Sequence, residues 1–287
     1  MKATFDHIFT SSFKEWFSNR LLEKGECFQN VTLPLYPVTD DPRLSTNYDI
    51  YGATAYQWVY NSNISGAQIP TSINSNSGQI NRGDGDMVID FKNGRVLFPK
   101  GNNPSLESVT IDVALNEVNV YTTTLPDEQI VFEFRDDRLP DLIKSEEAEK
   151  ADLTMAPCAI LKMVKTTNEP FCLGGTDLTY FKMRVICFCN SEYQLTGMFS
   201  IFRDSENTCF RLLNNTPLNY FNDIKEIYAG DWNYSDEAIF EQLEPKLFIE
   251  QVDCMPVEID NLNKNIPELH LGFIEFKVSM ERLPRKV

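Results

Sequence analysis

Two histidines, seven cysteines and a large excess of carboxylates are the residues of this sequence that could do chemistry. His7 and His270 are the only histidines, so a HExxH zinc site is absent and any Ser-His-Asp arrangement would depend on one of them. His270 stands just before a β-prone run, where a structural role is expected rather than that of a general base. The cysteines, at positions 27, 158, 172, 187, 189, 209 and 254, are odd in number and lack a CxxC pair, which predicts free, mostly buried thiols. Cys187 and Cys189 alternate along a strand-like run and should share a face. Without an accompanying histidine or second cysteine pair they point to core packing, not to a metal site.

Phosphate-binding loops are unsupported. Gly174-Gly175 is followed by Thr176-Asp177, but no GxGxxG follows a strand and no GxxxxGK[ST] occurs, so the pair reads as a turn. Asn81-Arg82-Gly83-Asp84-Gly85-Asp86 could offer oxygens to a cation, yet it lacks the spacing and twelfth-position Glu of an EF-hand. Acidic pairs such as Asp40-Asp41 and Asp136-Asp137 leave open a carboxylate-based glycan hydrolase, although adjacent acids on loops are usually solvated charge. No catalytic, cofactor-binding or metal-ligating residue is assigned, and no cofactor is expected.

The 42 acidic and 26 basic side chains give a formal charge of −16 at pH 7. That balance opposes sequence-specific binding of nucleic-acid phosphates, and copies arranged around a channel would line it with charge that repels DNA. The segment Met1–Asp6 lacks the apolar stretch of a signal peptide, and no run of about 18 apolar residues occurs. The expectation is a protein made in a reducing cytoplasm that does not span a membrane.

The elements that would position these residues follow from periodicity. Phe5, Ile8, Phe9, Phe13, Trp16, Phe17 and Leu21 recur at helical spacing, with Thr4 placed to cap the start and Gly25 to end the helix. Such an aromatic face is either intramolecular core or a docking surface; Phe5, Phe9, Phe13, Trp16 and Phe17 are the candidate contacts with a neighbouring subunit. From 30 to 81 the composition turns to Pro, Asn, Ser, Thr, Tyr and Gly, with extended runs at Val31–Leu35 and Ala53–Tyr60 and a long polar loop at 61–85. Met87 to Phe98 places two β-prone runs across Asn93-Gly94, which predicts a tight hairpin with a type I′ turn. Further strands are predicted at 108–115, 117–123 and 129–134.

Charge dominates from Arg135 to Ala151, interrupted by Pro140, and marks a linker through a short helix. The expected domains are therefore 1–135, a helix with an antiparallel β-rich sheet, and 152–287, joined by 136–151. The second half predicts strands at 159–166 and 178–189, a helix at 192–202, and strands at 247–259 and 271–282. That β-β-α-β-β order is α+β, not a doubly wound nucleotide-binding fold.

The hairpin Val88 to Phe98, followed by Val109 to Val113 and Glu117-Val118-Asn119-Val120-Tyr121, resembles a pattern of tailed-phage neck and connector proteins. Asn168-Glu169-Pro170-Phe171, Leu173-Gly174-Gly175 and Tyr193-Gln194-Leu195 add to the likeness, which covers about a third of the chain in scattered pieces. The resemblance implies a non-enzymatic virion subunit, assembled in the host cytoplasm into a ring that joins head to tail and leaves a channel for DNA. Its implied partners are portal, adaptor or tail-tube proteins, other copies of itself, and passing DNA without sequence-specific contacts. Which ring, whether adaptor, stopper or tail terminator, is left open. A receptor- or carbohydrate-binding tail or baseplate component is the alternative, suggested by the Tyr-, Trp- and Asn-rich segment 47–76.

Overall fold

The chain crosses between two compact units rather than running through them in series. Unit one is Met1–Glu117 with Leu212–Glu241, and unit two is Val118–Arg211 with Gln242–Val287. The computed structural model describes residues 5–39, 48–75, 78–81, 87–100, 109–133, 157–170, 176–213, 227–228, 232–237, 246–257 and 269–282. Thr4, most of the 81–86 loop, the linker 136–151 and Gly174-Gly175 lie outside these residues.

The chain opens with helix α1 (Phe5–Gly25). Seven strands follow: β1 (Phe28–Pro37), β2 (Tyr48–Ala53), β3 (Ser72–Ser75), β4 (Gly78–Asn81), β5 (Val88–Asp90), β6 (Arg95–Pro99) and β7 (Val109–Asn116). Next come β8 (Asn119–Thr122), α2 (Asp127–Glu133), β9 (Cys158–Pro170), β10 (Asp177–Cys189), α3 (Glu192–Arg203) and β11 (Cys209–Arg211). The chain then returns to unit one for β12 (Ile227–Tyr228) and α4 (Tyr234–Glu237), and finishes in unit two with β13 (Lys246–Val257) and β14 (His270–Arg282). Among the described residues the first sheet runs β12-β5-β6-β2-β1-β7-β3-β4 and the second β11-β13-β14-β10-β9-β8. Among the described residues the named strands all pair antiparallel except β8 with β9, and the isolated bridge Asn61↔Trp232 is also parallel. The architecture is α+β, with an N-terminal helix and mostly antiparallel sheets, as the sequence predicts.

Several local expectations are corrected. The division expected after residue 135 falls at 117/118, because β8 leaves the first sheet and pairs in parallel with β9 from Asn119↔Cys158 to Thr122↔Leu161. Residues 129–133 of the strand predicted at 129–134 belong to α2, which starts just after Pro126 with Asp127 and Glu128 in its first turn, where acids favour the positive helix end. The polar stretch 61–85 contains the β3–β4 hairpin, held by the alternating apolar pair Ile73↔Ile80. The run from Ala53 to Tyr60 is a strand only at its first residue. The turn at 91–94 spans four residues, not two: Asp90 pairs with Arg95, and only Gly94 is left-handed, at φ 61°. Asp90, fully buried, accepts hydrogen bonds from Asn93 N at 3.2 Å and Asn93 Nδ2 at 2.8 Å, which shapes this wider turn.

In unit two, α3 is capped by Ser191, whose hydroxyl accepts from Gln194 N at 3.2 Å. Leu195, Met198, Phe199 and Phe202 of α3 are buried, and Phe202 meets Phe276 edge-on at 5.8 Å. Side chains alternate along a strand, so α3 covers the face of β14 that carries Gly272 and Phe276. Phe273, Glu275, Lys277 and Ser279 therefore face the other way.

Candidate functional site

On that second face, residues in register across β13, β14, β10 and β9 form successive rows. Met255, Phe273, Ile186 and Ile160 make an apolar row. Asp253, Glu275, Arg184 and Lys162 make the next, then Gln251, Lys277, Lys182 and Lys165, and finally Phe248, Ser279, Tyr180 and Thr167. Helix α2 roofs the apolar end, where Ile130 packs with Cys158, Ile160, Ile186, Phe188 and Leu271. The polar rows beyond α2 line an open groove of about 370 Å³.

At the edge of the roof, Asp127 takes Lys162 Nζ at 2.7 Å and also pairs with Arg184. Arg184 Nε donates to Glu275 Oε1 at 2.8 Å, and Glu275 Oε2 receives Lys182 Nζ at 2.6 Å. A separate pair, Lys277 Nζ to Glu250 Oε2 at 2.6 Å, owes its geometry to an extra residue in β13. Glu250 is that extra residue, since Ile249 pairs with Val278 and Gln251 with Lys277. Val164 plays the same part in β9, where Lys165 pairs with Lys182 and Met163 with Met183. Both bulges fall beside the row containing Lys182 and Lys277. Bulges bend strands and increase twist, and the groove lies between these two. The Lys277 ammonium also sits 4.5 Å from the centre of the Tyr180 ring.

The ionic lattice fixes protonation. Burial pushes the Asp127 carboxyl up, but hydrogen bonds from Lys162 and Arg184 outweigh it and hold the group below its ordinary value. Glu275 behaves likewise under burial opposed by Lys182 and Arg184, and Glu250 under burial opposed by Lys277 and the Ser279 hydroxyl. These acids are ionised at neutral pH. A glycosidase needs a carboxylic acid kept protonated beside the scissile bond, and none of the three is so held. Glu15 in unit one is raised, chiefly by burial, but it borders a void of only about 10 Å³.

The aromatic candidates of α1 lie elsewhere, in unit one. Phe9, Phe13 and Phe17 have no exposed surface, Trp16 is 6% exposed, and Phe5 is half-buried. Phe13 stacks with Phe9 at 6.2 Å and lies 5.3 Å from Trp16. Their expected contact with a neighbouring subunit is corrected: burial within the chain removes Phe9, Phe13, Trp16 and Phe17 from any docking surface. Cys187 and Cys189 are fully buried, and Cys189 Sγ lies 3.6 Å from Met198 Sδ beneath α3. Among the described residues no cluster of His, Cys, Asp and Glu is arranged to hold a metal.

Lys165, Tyr180, Lys182, Gln251 and Lys277 escaped the sequence reading. The available signal was the alternation Tyr180, Lys182, Arg184 and Glu275, Lys277, Ser279, which marks one polar face on two long strands. No protein-family model matches this chain, and no curated protein matches it.

Proposed function

We propose that this chain is a structural subunit of a larger assembly, a component of a tailed-phage neck or upper-tail ring. The observation that carries the reading is the half-roofed face of the second sheet. Helix α2 covers its apolar rows and begins at Asp127, at the edge of a preorganised lattice of charged side chains that is left open to a partner. Paired, ionised carboxylates suit recognition, because complementary charges set register and orientation between surfaces. They do not suit proton transfer, which requires groups poised near working pH. The phage setting comes from the sequence resemblance in the hairpin Val88 to Phe98 and the strand ends near Asn168. The formal charge of −16 agrees with subunits bordering a DNA passage without gripping it.

The test combines light scattering and negative-stain imaging of the purified protein with mass spectrometry of phage particles. Rings, or stoichiometric presence in particles, are the expected result. A monomer at high concentration that is also absent from particles would end the proposal.

A further inference from the structure

Lys165, Lys182 and Lys277 stand directly opposite one another on three adjacent strands. Like charges opposed across strands destabilise a sheet, so the arrangement needs a compensating cause. Glu275 and Glu250 offset Lys182 and Lys277. Lys165 is exposed and makes no ion pair among the described residues. Within the groove the three lysines are set against three acids, Glu169, Asp253 and Glu275, so this surface is near neutral on a chain of −16. A second copy carries the same formal charge of −16, and the lysine row here offers its carboxylates a cationic contact.

We propose that the Lys165–Lys182–Lys277 row is a self-association site that receives Asp or Glu side chains of a second copy of this chain. The inference rests on the assembly reading above and adds the surface and the chemistry of the contact. The chain supplies 42 acidic side chains, so the ligand chemistry is abundant on the partner copy. A phosphate backbone is the poorer occupant, because it adds charge along its whole length beside Glu169, Asp253 and Glu275 and within the field of the whole chain.

The test mixes light and ¹⁵N-labelled protein with a zero-length carboxyl-to-amine cross-linker and reads mixed-isotope links by mass spectrometry. Links from Lys165 or Lys182 to Asp or Glu are expected. Sedimentation should show Lys165→Glu weakening self-association at least about tenfold while Lys165→Arg retains it, with circular dichroism unchanged for both. If oligomers form, Lys165→Glu matches wild type and no mixed-isotope link involves these lysines, the site is wrong while the assembly reading stands. If the chain is monomeric alone yet enters particles, self-association here is wrong and assembly runs through other proteins. Absence of both defeats both readings. An oligodeoxynucleotide that binds the wild type, fails to bind Lys165→Glu and leaves no self-association would overturn the choice of partner.

Discussion

Tyr60 Oη donates a hydrogen bond of 2.5 Å to Glu15 Oε2 inside the first unit, joining α1 to the segment after β2. Nearby, Asn61 Nδ2 donates to Asn19 Oδ1 at 2.6 Å, and Asn61 Oδ1 accepts from Tyr234 N at 3.0 Å. Burial raises the Glu15 carboxyl above its ordinary 4.5, and Lys14 and the Tyr60 hydrogen bond only partly oppose that. A raised folded-state pKa contributes stability below the unfolded value and loses it as pH rises through the folded value. Glu15→Gln keeps an acceptor for Tyr60 and removes the charge. Its denaturant midpoint should exceed wild type at neutral pH and converge with it below about pH 4.5. Tyr60→Phe should cost about 1–3 kcal/mol, because a buried carboxyl oxygen loses its donor.

Gly272 is where β14 meets α3 most closely. A Cβ there would come within 2.5 Å of Phe199 Cζ and 2.9 Å of Leu195 Cδ1. Overpacking of this kind costs about 1–3 kcal/mol, so Gly272→Ala should lower the unfolding free energy, measured by urea denaturation, by that amount. Phe199→Leu in the same chain should recover part of the loss. Simple additivity in the double-mutant cycle would mean that the two residues do not touch.

Gly94 is required twice over. Its φ of 61° disfavours side chains, and a Cβ would lie 2.5 Å from the backbone oxygen of Ala55. Backbone cannot swing aside as a side chain can, and Ala53 N donates to Gly94 O at 2.9 Å, tying the turn to β2. Gly94→Ala should destabilise the first unit by more than the ~1–2 kcal/mol of the left-handed conformation alone, measured by urea unfolding.

What the sequence makes legible is local and periodic. The aromatic spacing from Phe5 to Leu21 specifies α1, and the β-branched and aromatic runs of β9, β10, β13 and β14 carry period-two alternation. Short polar strands such as Ser72–Ser75 escape because only Ile73 is apolar there. Ile130-Val131-Phe132 is β-prone in isolation, yet the acidic start after Pro126 and burial of Ile130 on β9 and β10 make it a helix. Nothing local announces that β8 joins the second sheet or that Trp232 returns to bridge Asn61, since both are long-range pairings. The groove was illegible for the same reason. Arg184 and Glu275 are 91 positions apart, and only the register of β9, β10 and β14, with the β9 bulge at Val164, brings the lysine row into being.

The two units should answer pH in opposite directions. In unit two Asp127, Glu250 and Glu275 have folded values below their ordinary 3.8 and 4.5, because ion pairs outweigh burial. Depressed values contribute stability above the unfolded pKa, and that contribution is lost as pH falls through the folded one. In unit one the raised Glu15 does the reverse, with its contribution greatest in acid. The three acids are partly solvated, so each contributes modestly, but they converge on β10 and β14. Hydrogen exchange, corrected for intrinsic rates and read by mass spectrometry at about pH 3.5 and about pH 7.5, separates the two responses. Acid should loosen β9, β10 and β14 near Arg184 while α1 keeps or gains protection. Asp127→Asn should shrink the acid effect around α2 and leave α1 unchanged. A uniform loss of protection across both sheets in acid would show instead that net charge, not these named pairs, governs the response.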